Sequence, residues 1–284
     1  MKRIVKIFDM AFAHEDYCGS KVGGNHSDKI VWDRSGVVES GDIVFFTDTS
    51  LGVVENVNVD CTKIAWLIEP REIQPWSYSY IVANHHLFDY VFTYDSELLS
   101  ISDKFIKNPM WCSWVNPQNQ GLHKKTKKTS IIASNKRDHV GHILRHQFIE
   151  RYGNSIDLDI YGGLTSGGVG YRPIQCKSEG LKDYMFSVVI ENVRKDHLFT
   201  EKLIDCFLTG TIPIYWGANC VDEYFDGRGI IKFTSLDELD SIVNSLSEDK
   251  YNSMIEFVRN NFETASRFKT IEDYMYENLL SKYE

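Results

Sequence analysis

No stretch of this chain approaches 18 uninterrupted apolar residues, so the sequence offers no helix fit to cross a membrane. A surplus of positive charge is also missing. The 31 Lys and Arg stand against 40 Asp and Glu, a formal charge of −9, which argues against a protein built to wrap polyanions and leaves room for a local basic pocket. There is no CxxC. The six cysteines (Cys18, Cys61, Cys112, Cys176, Cys206, Cys220) are scattered, the pattern of free thiols in a reducing compartment. No internal repeat or low-complexity tract occurs, which excludes a repeat array. The N-terminus, MKRIVKIFDMAF, begins like a signal peptide, but Lys6 and Asp9 break its apolar run, so it reads as a first strand. The expected location is cytoplasmic and soluble, or peripheral at a membrane.

What is present is an ordinary core. A hydrophobic content of 43% and a charged content of 25% suit a globular chain, and 284 residues leave room for two domains. RIVKIFDM (3–10), DIVFFTD (42–48), KIAWLIE (63–69) and DYVFTYD (89–95) read as strands whose near-continuous apolar character suits a parallel sheet covered on both faces. The polar stretch 116–129 with its lysine cluster reads as a solvated linker and places a boundary between domains at 1–122 and 123–284. Beyond it the rhythm returns. Strands are expected at 130–134, 156–162, 184–192 and 229–233. A helix is expected over 139–153 with Val140, Ile143, Leu144, Phe148 and Ile149 on its apolar face, and further helices over 235–246 and most of 249–282. The last helices have the length to pack back on the first domain. Strand–helix alternation in both halves predicts an α/β protein with two parallel sheets.

The segment 200–217, TEKLIDCFLTGTIPIYWG, carries the chemistry. Thr200 is a good N-cap, Leu203, Ile204, Phe207 and Leu208 form an apolar face, and Gly210 ends the helix in the left-handed conformation. Pro213 lacks an N–H, so it belongs at the start of the next strand or on an exposed edge. None of this requires Glu201-Lys202. Lys202 opposes the helix dipole, and as a lone residue it would be a solvated lysine. A helix mouth after a strand and a polar loop is also an anion site, and Lys202 adds a full positive charge there.

YMFSVVIENVRKDHLFTEKLIDCFLTGTIPIYWG (184–217) closely resembles the signature region of the α1,3-fucosyltransferases, through Phe186, Glu191, Asn192, Thr200, Glu201, Lys202, Ile212, Pro213, Ile214 and Gly217. LRHQFIERYGNSIDLDIYGG (144–163) resembles that family's Arg-bearing helix and following strand, and 64–76 with 88–95 its acceptor region. The resemblance implies a GT-B architecture, two Rossmann-like parallel-sheet domains facing across a cleft. It implies an inverting transfer of a sugar, fucose from GDP-fucose, to a hydroxyl of a glycan acceptor. Carried over, it implies that Arg145 and Lys202 bind the donor diphosphate and that Glu201 takes the ribose hydroxyls. Asn192 lies near sugar and phosphates, Glu191 and Thr200 complete the donor set, and Glu69 takes the place of the general base. No motif implies a metal such as Mn or Mg, and no nucleic-acid partner is expected. Leu198 stands where the family usually has Tyr, which bears on the donor and leaves another nucleotide sugar open.

Other readings stand beside these. Arg145 as a surface salt bridge and Glu69 as a cap on a neighbouring amide remain open, with Glu72 and Asp89 as rival bases. Asp157-Leu158-Asp159 mimics a metal motif but follows a strand's alternation. His139, His142 and His146 lack the Glu of HExxH and read as solvated histidines, with a place near the phosphates left open. Trp76, Trp111 and Trp216 are candidates for stacking on a sugar or base, with packing as the default. A non-catalytic glycan- or nucleotide-binding module is the rival from another class.

Overall fold

The computed structural model describes residues 2–10, 24–108, 112–153, 157–162 and 171–283. In its first half, β1 (Arg3–Phe8), β2 (Ile30–Asp33), β3 (Ile43–Thr47), β4 (Thr62–Trp66), α1 (Pro75–Asn84), β5 (Tyr90–Thr93), α2 (Ser96–Leu99) and β6 (Phe105–Lys107) follow in chain order. The strands form one sheet in the order β2-β1-β3-β4-β5-β6, with every pairing parallel. In the second half come β7 (Lys127–Ile132), α3 (Val140–Tyr152), β8 (Leu158–Tyr161), β9 (Tyr171–Arg172), β10 (Tyr184–Ile190), α4 (Glu201–Leu208), β11 (Ile212–Trp216), β12 (Ile231–Lys232), α5 (Leu236–Ser245), α6 (Glu248–Ser253), α7 (Ile255–Ala265) and α8 (Ile271–Asn278). Their sheet runs β12-β11-β10-β7-β8-β9 and is also parallel throughout.

Both sheets are covered on both faces, which is why their strands are nearly all apolar. The pleat sends Phe45 of β3 into one core cluster with Ile64 and Phe92, and its neighbours Val44 and Phe46 into another with Ala65 and Val91. Likewise Phe186, Val188 and Ile190 of β10 face one core while Val189 faces the other. Helix α8 lies at the end of the chain, yet Ile271, Met275, Leu279 and Leu280 join Val5, Ile7, Trp32 and Trp66 on the first sheet. Trp32 Nε1 donates to Glu272 Oε1 at 3.1 Å across the same contact.

Three local expectations are corrected. Helix α3 is rotated from its expected face: Val140 and Ile143 are exposed (64% and 43%), while Gly141, His142, Arg145, His146, Phe148 and Ile149 are buried. The histidines at 142 and 146 are therefore packed inside: His142 lines a cavity, and His146 Nε2 lies 3.1 Å from Lys136 O. The lysine cluster is not a solvated linker. Lys127 and Lys128 open β7, and Lys125 donates to Lys182 O, Thr209 O and Thr211 Oγ1 at 2.7–3.0 Å. Its stem lies along protein while its ammonium finds carbonyl acceptors. Strand β4 ends at Trp66 rather than at Glu69, since the carboxylate of Asp48 takes the N–H groups of Ile68 and Glu69 (2.9 and 3.2 Å) out of the ladder.

Candidate active site

At the carboxyl end of β10 the chain leaves the sheet as Glu191-Asn192, and α3 approaches it end-on. Gly141 allows this: a Cβ there would stand 1.7 Å from Glu191 O, and the Gly141 N–H donates to Asn192 O at 2.9 Å. One turn later Arg145 is buried, with its guanidinium donating to Ile190 O and, at 2.9 Å, to Asn192 Oδ1. It is no surface salt bridge. Burial lowers its pKa, opposed by Glu191 and Glu201 nearby. His142 lies on the same helix face. Burial first, then the Arg145 charge, pushes its imidazole down to about 4, so it is neutral at physiological pH.

The mouth of α4 faces this helix. Thr200 has extended backbone, and its hydroxyl accepts from Lys202 N, the expected N-cap. The same hydroxyl donates to Glu191 Oε2 at 2.7 Å, and Thr200 N–H donates to Glu191 Oε1 at 2.9 Å. Glu191 is wholly buried, with both carboxylate oxygens holding the loop that feeds α4. Lys202 Nζ rests 2.9 Å from Thr200 Oγ1, 3.3 Å from Glu191 and 3.2 Å from Glu201. Glu201 meets a second cation, Lys177, at 3.0 Å. Burial alone would raise the Glu201 pKa; the two lysines outweigh it and hold the carboxyl well below its usual range. Lys177 also lies 3.5 Å from Asp205 Oδ2 and 4.2 Å above the Trp114 ring, and Trp114 N–H donates to Asp205 Oδ1 at 2.9 Å. Asp205 follows Glu201 by one helical turn, and burial pushes its carboxyl up to about 6.

These groups surround one cavity of about 270 Å³. Arg145, Asn192, Glu201 and Lys202 line it, joined by His142, Lys177, Asp205 and Trp114. Glu191 and Thr200 are not among its lining residues; they support the mouth from behind. Leu198 does not line it either. It is buried against the first sheet and α8, so its departure from the family pattern falls on packing between the halves. Asp205 was missed in the sequence, although its place four residues after Glu201 on one helix was a signal that could have found it. Lys177 and Trp114 carry no local signal, being brought in from distant loops.

Glu69 stands beyond the carboxyl end of β4, half-buried. Burial raises its pKa above the ordinary 4.5, with Lys202 and Lys136 lowering it and Glu201 raising it, so its charge is felt by the groups of the second half. The rival carboxylates are placed otherwise. Glu72 is exposed and paired with Lys195 at 2.7 Å. Asp89 lies at the amino end of β5, where it accepts from Lys63 N at 2.8 Å. Asp159 of the Asp-Leu-Asp motif pairs with Arg172 (2.5 Å) and Lys127 (3.5 Å), a structural use. Trp216 is core, Trp76 stacks on Tyr80 at 5.0 Å, and Trp111 lies outside the described residues, as does Cys18. Among the described residues His197, Cys220 and Glu223 bring possible metal-ligand atoms within 4.8 Å of one another, but Lys107 Nζ already sits 2.8 Å from Glu223.

Residues 122–278 match the model of the glycosyltransferase family 10 (fucosyltransferase) C-terminal region, more than half of the chain. The chain belongs to glycosyltransferase family 10. This family 10 chain is 30% identical over 179 residues to the alpha-(1,3)-fucosyltransferase FucT of Helicobacter pylori, covering 62% of the chain and 35% of that protein. It is 35% identical over 82 residues to an alpha-(1,4)-fucosyltransferase of Arabidopsis thaliana, covering 28% of the chain and 20% of that protein. The alignments thus span well under two thirds of either relative. A crystal structure of an α1,3-fucosyltransferase superposes with a TM-score of 0.58 at 18% identity, over 95% of this chain and 90% of that one. A crystal structure of an α1,3-fucosyltransferase with GDP gives 0.56 at 17% identity, over the same shares. The fold is GT-B, two parallel-sheet α/β domains. Among the described residues of this family 10 member no helix is long and apolar enough to cross a membrane.

Proposed function

We propose that this family 10 protein is an inverting fucosyltransferase that moves fucose from GDP-fucose to a hydroxyl of a glycan acceptor, with residues 1–122 on the acceptor side and 123–284 on the donor side. The observation that carries this reading is the single cavity joining Arg145, Lys202 and the mouth of α4. The names of the relatives, and the GDP in one solved relative, support the choice of donor.

In this reading the diphosphate lies between Arg145 and Lys202 at the mouth of α4, where the helix dipole adds to the two full charges. Lys202 moves from Thr200 and Glu191 to the phosphates, which its 23% exposed side chain permits. Glu201 receives the ribose hydroxyls as a charged acceptor, and Asn192, held by Arg145, lies beside the sugar. Glu191 and Thr200 keep the mouth in place. Glu69 takes the proton of the acceptor hydroxyl as that oxygen bonds to the anomeric carbon of fucose. The bond from that carbon to the phosphate oxygen breaks, its electron pair leaves with GDP, and the configuration inverts. The cations then meet the charge that develops on the leaving diphosphate. The cavity is lined by Arg145, Lys136, Lys177 and Lys202, so positive charge for the diphosphate is available from the chain itself.

The reading is tested with GDP, UDP, ADP and CDP in a thermal-shift panel, followed by fucose transfer from labelled GDP-fucose to an oligosaccharide panel. GDP at 100 times its dissociation constant should stabilise the protein by about 2.7 kcal/mol, and the other nucleotides by less. Stronger stabilisation by UDP would assign a different donor. Binding of GDP with neither transfer nor hydrolysis of GDP-fucose would mark a binding module.

A further inference from the structure

Glu69 can act as a base only if its carboxylate is aimed, yet it sits in a loop that follows a strand and precedes Pro70. Its own carboxylate makes no direct hydrogen bond or ion pair among those described, so its aim comes from the backbone. That backbone is fixed from both sides. Asp48, at the carboxyl end of β3, accepts from Ile68 N on Oδ1 at 2.9 Å and from Glu69 N on Oδ2 at 3.2 Å. Tyr78 of α1 donates to Glu69 O at 3.1 Å and lies 3.3 Å from the Tyr94 hydroxyl. Asp48 is 5% exposed. Among the described residues it is the one non-glycine residue with a left-handed backbone, φ 36°. A carboxylate held in a buried site on an unfavourable backbone persists because the surroundings over-determine it, as at functional sites.

We propose that Asp48 is a positioning residue for Glu69: its two carboxylate oxygens clamp the amides of Ile68 and Glu69 so that the Glu69 carboxylate is held toward the donor cavity, with Tyr78 as the second tether. This rests on the reading of Glu69 as the base. The clamp also couples two acids. Burial pushes the Asp48 carboxyl up to about 7, against the two backbone donors that favour its charged form, with Glu69 repelling it. The groups facing Asp48 are Glu69, Tyr78 and Tyr94, and those acting on Glu69 include Lys202, Glu201 and Lys136. As pH rises through 7 Asp48 ionises. It then becomes a stronger acceptor for both amides, and its negative charge makes Glu69 a stronger base.

The experiment compares wild type, D48N, D48G, Y78F and E69Q for GDP release from GDP-fucose, with N-acetyllactosamine as acceptor or water where no sugar is taken, across pH 5–9, alongside GDP binding by thermal shift. Asn keeps one acceptor and puts an N–H₂ against the other amide. Gly accepts φ 36° without strain and removes the clamp altogether, so it separates backbone conformation from the carboxylate. D48N and D48G should lower kcat about 10- to 100-fold, as a displaced catalytic group does, with GDP binding within about twofold of wild type. Wild-type kcat should rise in two steps, the second near pH 7, and D48N should keep only the first. Y78F, which retains the ring packing, should lower kcat about 3- to 10-fold and keep both steps. Wild-type kcat and an unchanged pH profile in D48N, or wild-type kcat in Y78F where the Asp48 variants do not fold, overturn the clamp while leaving Glu69 as base if E69Q is inactive. Full turnover by E69Q overturns the base and the clamp together.

Discussion

Glu69→Gln is expected to bind GDP as the wild type does and to transfer sugar about 10²- to 10⁴-fold more slowly, the range over which a positioned general base contributes. The substitution keeps the shape of the side chain and removes its negative charge and its ability to take a proton. It leaves the donor cavity intact, because Glu69 is not among the residues that line it. The rival carboxylates offer no replacement: Glu72 is drawn into an ion pair with Lys195, and Asp89 is at the amino end of β5, whereas Glu69 lies beyond the carboxyl end of β4. The pH dependence follows from the same surroundings. Burial raises the Glu69 pKa above 4.5, so the acid limb of kcat, below which the base is protonated, should lie above that of an ordinary glutamate. Steady-state kinetics with the donor saturating checks both points. Turnover near the wild-type rate would move the base elsewhere.

Arg145→Ala and Lys202→Ala should each lower kcat/KM about 10²- to 10³-fold, a loss of roughly 2.7–4 kcal/mol of transition-state stabilisation. The two losses differ in kind. Lys202 is partly exposed and makes contacts that a bound diphosphate would replace, so its removal should act chiefly on donor binding and turnover. Arg145 is 4% exposed and tied to Ile190 O and Asn192 Oδ1, so its removal also leaves buried acceptors without a donor, at a cost of about 1–3 kcal/mol of stability. Each variant's thermal shift on adding GDP, taken relative to its own unliganded melting temperature, separates lost ligand contacts from lost fold. A GDP-induced shift equal to wild type in Lys202→Ala would remove that side chain from the diphosphate site.

Much of the structure around the mouth of α4 was legible in residues 184–217 because its signals are local. Thr200 caps α4, Gly210 takes φ 69° after it, and Pro213 falls at the second residue of β11, where β12 is too short to need its N–H. Parallel pairing followed from apolar runs with no polar face. The apolar face of α4 was read correctly, and what failed was the amino-terminal part of the face expected for α3. Val140 and Ile143 looked like core because they are apolar; α3 instead buries His142 and Arg145, which line the cavity, and His146, whose Nε2 lies 3.1 Å from Lys136 O. Lys125 looked solvated because lysines usually are, and its acceptors come from residues 182, 209 and 211, which no local pattern associates with it. Glu191 was expected in the donor set from its place in the motif; its two oxygens accept from the Thr200 N–H and hydroxyl, a pairing that no local pattern announces. Short elements such as β2, β6 and β9 have too few residues to show a period.

A crystal structure of the protein soaked with GDP-fucose puts the diphosphate site to its most direct test. The pyrophosphate should lie in the cavity between α3 and α4, within about 3 Å of Lys202 Nζ and the Arg145 guanidinium. A donor bound away from these groups, or a cavity left empty at saturating donor, would contradict the assignment.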